Sequence, residues 1–111
     1  MGEPAMTETH KHVARRAKRK ACALEAAFLT DALRFPGRVT DISLFGAFVD
    51  TLNPLPAKTP LELSLILSGG SFVNARGTVV WSQENMGMGI EFTDMVEESR
   101  TQIERIVGGL P

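Results

Sequence analysis

The chain has 111 residues, of which 43% are hydrophobic and 23% charged; this suits one modest globular domain and is too little for two ordinary ones. No apolar stretch approaches the ~20 residues of a membrane span, no apolar core of a secretory signal follows the charged N-terminus, and the single cysteine, Cys22, excludes an intrachain disulfide. The net charge of −1 conceals a division, since residues 1–20 carry +4 and the remainder −5; a basic arm on an acidic body points to a localised anionic partner rather than to a general polyanion.

Residues 1–12, "MGEPAMTETHKH", have no apolar periodicity and are expected to be a disordered segment. The basic arm occupies 13–20, and from about Ala21 the pattern becomes an alternation. Cys22, Leu24, Ala26 and Phe28 fall on one face at period two, which predicts a strand. Asp31 and the Pro36-Gly37 pair then mark turns. "GRVTDISLFGAFVDT" gives two extended segments joined by "ISLFG", where Gly46 is expected to take a positive φ and bend the chain. Alternation alone leaves open whether Ala47 and Val49 or Phe48 point inward. Three prolines in "LNPLPAKTP" make it a connecting loop.

The second half alternates more regularly. Leu61, Leu63, Leu65 and Leu67 share a face opposite Glu62, Ser64 and Ser68, "SGGS" reads as a hairpin turn, and Val73, Ala75, Gly77, Val79 and Trp81 share the face of the next strand. After a turn at Asn85 and Gly87, Met88, Ile90 and Phe92 alternate with Glu91. The period then switches to helical. Asp94 and Glu97 form a capping-box pattern, Met95, Val96, Ile103, Ile106 and Val107 make an apolar stripe, and Gly108 is a plausible stop. The sum is a mainly β protein: a six-stranded antiparallel barrel over 21–93 with a C-terminal helix over 94–107.

Two short motifs carry chemistry. In "RRAKR", Arg15 and Arg19 stand four apart with Arg16 and Lys18 between them and Lys20 following. Guanidinium groups are planar forks suited to phosphate and purine edges, although such a run is most often a solvated face. In "DISLFG", Asp41 and Ser43 lie two apart, on one side of an extended segment, with Gly46 three further on. A carboxylate accepts two parallel hydrogen bonds, matching the N1–H and exocyclic amine of guanine, and a hydroxyl donates or accepts. The plainer reading is a turn, which Asp, Ser and Gly favour for local backbone reasons.

Together, an R-x-x-x-R arm before the first strand and D-x-S-x-x-G between the second and third resemble the PilZ domain family. The resemblance covers about residues 15–107, including "GMGIEF" and the terminal helix. It implies a domain over 13–111 built as a six-stranded split barrel that binds the bacterial second messenger cyclic di-GMP on its outside. Arg15 and Arg19 would contact phosphates and guanine, Asp41 and Ser43 would read guanine, and Gly46 would permit the bend beneath it. Arg16, Lys18 and Lys20 make the arm more basic than the motif requires, which would suit a second, stacked ligand or steer the dianion in. Trp81 looks like the aromatic that packs on a guanine in some members, while its alternation with Val73 and Val79 places it in the core.

The resemblance further implies a non-enzymatic cytoplasmic receptor, with cyclic di-GMP as ligand, no cofactor and an unidentified downstream protein as partner. The alternatives are a PilZ-like adaptor that works through protein contacts alone and a single-stranded nucleic-acid barrel, against which the acidic body counts. His10 and His12 lack companion ligands for a metal. No Gly-x-Ser-x-Gly or phosphate-loop pattern is present. Cys22 reads as strand filler. The helix stripe reads as a barrel lid or, with Ile103 and Ile106 exposed, as a docking face.

Overall fold

The computed structural model describes residues 19–108. Six strands, β1 (Lys20–Thr30), β2 (Leu33–Ile42), β3 (Gly46–Asp50), β4 (Pro60–Ile66), β5 (Phe72–Gln83) and β6 (Gly87–Asp94), precede one helix, α1 (Glu97–Gly108). Every neighbouring pair is antiparallel, and the barrel closes in the order β1-β2-β3-β6-β5-β4. Each half of the chain is therefore a three-stranded meander, and the halves meet through β3–β6 and β1–β4.

The interior follows the alternation. Phe28, Val39, Ile42, Val49, Leu63, Leu65, Val73, Val79 and Met88 are fully buried. Ala47 and Val49 point inward and Phe48 outward, which settles the orientation that period two left open. α1 packs on β5 and β1, with Ile103 and Val107 inside the same core cluster. Ile103 has no exposed surface, so the helix is a lid and not a docking face built on Ile103 and Ile106. The helix starts later than the capping box implies. Asp94 belongs to β6, opposite Arg76, and the first helical hydrogen bond runs from Arg100 N–H to Val96 O at 3.1 Å. The helix begins at Glu97 rather than at residue 94, because sheet pairing holds Asp94.

Two turn expectations also change. Asp31 and Ala32, both at positive φ, make the β1–β2 turn, but Pro36 and Gly37 lie within β2, paired with Ala27 and Ala26. β3 covers only Arg38–Ile42 of β2. Pro36 thus has a strand neighbour on one side only, the edge setting in which a missing N–H is tolerated. Gly46 is absent from the positive-φ residues. Its requirement is space: a Cβ there would overlap the Ile90 carbonyl oxygen, well inside 3.0 Å.

Candidate functional site

Strict alternation from Val39 would turn Asp41 into the barrel, and from Val79 it would do the same to Trp81. Neither happens, because each strand carries a one-residue irregularity just before the site residue. In β2–β3 the register passes from Val39↔Val49 to Asp41↔Phe48, and in β5–β6 from Val79↔Ile90 to Trp81↔Gly89. The extra residues, Thr40 and Val80, flip the parity and send Asp41 and Trp81 outward, a common use of bulges beside functional sites. A third register shift, between Ala21 and Leu24 of β1, lies next to them. Trp81 is therefore 44% exposed, and the core placement suggested by its alternation with Val73 and Val79 does not hold.

The registers set these residues in one row across five strands: Ala21, Asp41, Phe48, Gly89 and Trp81 are successive neighbours. Asp41 and Trp81 stand three strand spacings apart, roughly 14 Å. Gly89 contributes no side chain, so Phe48 and Trp81 meet above it with ring centroids 5.8 Å apart and planes tilted by 41°. Phe48 also leans over Gly87, where a Cβ would stand 3.0 Å from its ring. The two glycines of "GMGIEF" are thus the floor under an aromatic pair.

At the opposite end of the row, Arg19 meets Asp41. Its Nε donates to Oδ1 at 3.3 Å and its Nη2 to Oδ2, a bidentate ion pair with the side chains 51% and 31% exposed. The last residue before β1 is thereby joined to the first residue of D-x-S-x-x-G. Lys20 is exposed beside it. Arg15, Arg16, Lys18, His10, His12 and the whole 1–12 segment lie outside the described residues.

Ser43 is placed differently from the expectation that it faces a ligand beside Asp41. It is buried at 7% exposure, and its Oγ accepts hydrogen bonds from the N–H groups of Phe45 (3.1 Å) and Gly46 (3.2 Å). Its own N–H donates to Gly46 O at 2.8 Å. The hydroxyl closes the β2–β3 turn and keeps only its proton to offer outward. Cys22 is partly buried, and its Sγ donates to Val39 O at 3.5 Å. Burial raises its thiol pKa above the ordinary value, the Asp41 charge adds to this, and Lys20 opposes it. A thiol held protonated is a poor nucleophile, in keeping with filler. Among the described residues no group of three or more His, Cys, Asp or Glu side chains could hold a metal ion, and no helix is long and apolar enough to cross a membrane.

Phe48 and the glycine floor escaped the reading of the sequence. A signal for the β2 bulge was present: Val39 and Ile42, both apolar and three apart, cannot share a face of a regular strand.

The PilZ domain model matches residues 14–109. The chain belongs to the PilZ domain family. No curated protein matches it. Among solved structures, this PilZ domain is similar to the Bacillus subtilis inhibitor of motility, MotI/DgrA, with a TM-score of 0.71 and 13% identity over 86% of this chain and 50% of that one. It is also similar to the PilZ domain of CeSA from a cellulose-synthesizing bacterium, with a TM-score of 0.65 and 20% identity over 82% of this chain and 95% of that one. The chain spans about half the length of the Bacillus protein. At these identities the likeness is one of fold. PilZ domains form a family of cyclic di-GMP-binding effectors and adaptors, and catalysis is not among the family's known roles.

Proposed function

We propose that this PilZ domain is a non-enzymatic cytoplasmic receptor that binds cyclic di-GMP on the outer face of the barrel and relays the signal to a partner protein. The observation that carries this reading is the Arg19–Asp41 contact, which brings the end of the R-x-x-x-R arm onto the acid of D-x-S-x-x-G. Cyclic di-GMP is a dianion with two purines. It needs cations for its phosphates, a carboxylate for a guanine edge and a flat apolar surface for stacking. The row supplies these in sequence, with Arg19 and Asp41 at one end and Trp81, backed by Phe48, at the other.

In this assignment Arg15 and Arg19 contact phosphate and guanine, and Asp41 reads the guanine edge. Ser43 shapes the turn and offers its proton. Gly46 lets β3 lie close against β6, and Trp81 stacks on a base. Arg16, Lys18 and Lys20 add contacts or long-range attraction. The partner belongs to motility, biofilm or exopolysaccharide control. That range is consistent with one similar structure being named an inhibitor of motility and another coming from a cellulose-synthesizing bacterium.

Titration calorimetry with cyclic di-GMP on the wild type, Arg19→Ala and Asp41→Ala tests the reading. Binding in the wild type and measurably weaker binding in both variants is expected. No heat in the wild type, or full affinity in both variants, overturns it in favour of an adaptor that works through protein contacts alone. Competition by single-stranded DNA with steep salt dependence would instead favour the nucleic-acid reading.

A further inference from the structure

Within the chain itself the Asp41 carboxylate is already engaged. Arg19 meets it with two donors side by side in one plane, Nε on Oδ1 and Nη2 on Oδ2. Guanine presents the same pattern through its ring N1–H and exocyclic amine, two adjacent in-plane donors that match one carboxylate edge. A carboxylate has one such edge, so the guanidinium and the guanine compete for it.

We propose that Arg19 is an internal stand-in for guanine: it occupies Asp41 until a guanine edge replaces it, and then turns its fork to the ligand's phosphate. This rests on the cyclic di-GMP reading above. The geometry suits an exchange. Arg19 precedes β1 and takes part in no strand pairing, so its side chain swings without disturbing the barrel. Both partners are part-exposed, at 51% and 31%, and an ion pair in that setting is weak enough to give up. The displaced guanidinium finds a phosphate, for which its planar fork is equally suited.

The exchange is selective in what it reports. Adenine offers one donor and one acceptor on the corresponding edge, so replacing Arg19 by adenine would set a ring lone pair against a carboxylate oxygen. An adenine dinucleotide that reaches the arm leaves Arg19 on Asp41. Release of Arg19, at the root of the arm, thus marks guanine rather than mere occupancy by a dianion.

Two measurements on the full chain test this. The first follows the Arg19 Nε–H resonance by NMR. Without nucleotide, the wild type should show a resonance that Asp41→Asn shifts. Saturation with cyclic di-GMP should move it off its Asp41-paired position, and cyclic di-AMP should not. The second is a double-mutant cycle on cyclic di-GMP affinity with Arg19→Gln and Asp41→Asn. If the pair must break for binding, each single variant is spared that step, so the double variant loses more affinity than the product of the single losses. The excess is about two- to fivefold, the strength of an exposed pair.

An Arg19 resonance insensitive to Asp41→Asn overturns the proposal. So does one still in its Asp41-paired position at cyclic di-GMP saturation, one displaced equally by cyclic di-AMP, or a double variant that loses less than the product. If the wild type shows the pair but binds no cyclic di-GMP, the functional reading fails and the exchange fails with it, while the pair itself stands. Binding of cyclic di-GMP with Arg19 unmoved overturns the exchange alone.

Discussion

Gly46 and Gly89 lie on neighbouring strands of the same outer surface, yet alanine at the two positions should have opposite consequences. At Gly46 the added methyl would overlap the Ile90 carbonyl oxygen, and the nearest atoms beyond it, Ile90 C at 3.3 Å and Glu91 Cα at 3.4 Å, are also backbone. No side chain can rotate away, so β3 and β6 must separate by roughly an ångström at this point. The pairs Gly46↔Glu91 and Ala47↔Ile90 and the Ser43 turn, held by two bonds to Gly46, all sit there. Overpacking against a fixed wall costs about 1–3 kcal/mol, and weakening one or two backbone hydrogen bonds adds about 1 kcal/mol each. Gly46→Ala should therefore lose about 3 kcal/mol, a fall in Tm on the order of 12–24 °C for a domain of this size. At Gly89 the nearest atom to a new Cβ is Trp81 Cβ at 3.8 Å, ordinary contact. Gly89→Ala should change stability by less than about 0.5 kcal/mol. Urea denaturation of both variants, followed by circular dichroism and by Trp81 fluorescence, checks the pair of values. A Gly46→Ala loss below about 0.5 kcal/mol, or equal losses in the two, would falsify the close-approach argument. The result also bears on function: lost ligand binding in Gly46→Ala would report a disturbed scaffold, not a missing contact.

Trp81→Ala should lower cyclic di-GMP affinity about tenfold, within the range for one stacked base. The same variant should lose under about 1.5 kcal/mol of stability, since the ring is part-exposed and packs on Phe48; a loss of 3 kcal/mol or more in a melt, the range for a buried tryptophan, would return it to the core. Ala32 sits in the β1–β2 turn at φ 65°, a conformation that favours glycine in two-residue hairpins, so Ala32→Gly should gain about 0.5 kcal/mol and raise Tm by roughly 2–4 °C. The Cys22 thiol should react with a disulfide reagent more slowly than a free thiol near neutral pH, and its rate should keep rising at pH values where a free thiol has levelled off. Because the folded chain holds this proton more tightly than the unfolded one, its contribution to stability is fully present below the ordinary thiol value and is lost as pH rises through the raised one; a rate that levels off where a free thiol does contradicts this.

The barrel was legible because its core residues obey a simple parity. Leu61, Leu63 and Leu65, or Val73, Ala75 and Val79, can only be explained by one buried face. The candidate site was legible only in part, because its residues lie where parity breaks. Asp41 was found from the company it keeps with Ser43 and Gly46, but its outward aim depends on Thr40, which looks like any strand residue. Trp81 continued the apolar run of β5 without interruption, and only the extra Val80 turns it to solvent. Pro36 and Asp94 misled for a related reason. The local turn and capping preferences are real, but sheet pairing with Ala27 and Arg76 overrides both. The family resemblance put Arg19 and Asp41, 22 residues apart in sequence, on one ligand, but nothing in the sequence signals their direct ion pair.

Because the chain forms two sequential meanders, the β3–β6 ladder joins segments roughly forty residues apart, the kind of contact that forms late and opens readily in a folding chain. The row from Asp41 to Trp81 runs straight across that junction, with Phe48 on one side and Gly89 on the other. A ligand seated along it would act as a clasp on one of the two ladders, β3–β6 and β1–β4, that join the meanders. At a hundredfold excess over Kd it makes every opening that parts the two meanders about 2.7 kcal/mol harder. Amide exchange at Ala47, Val49 and Ile90 then slows with occupancy, while openings at the β4–β5 turn that leave the row intact keep their rates. The second messenger would be felt as a change in how often the barrel comes apart along one line, before any partner is met.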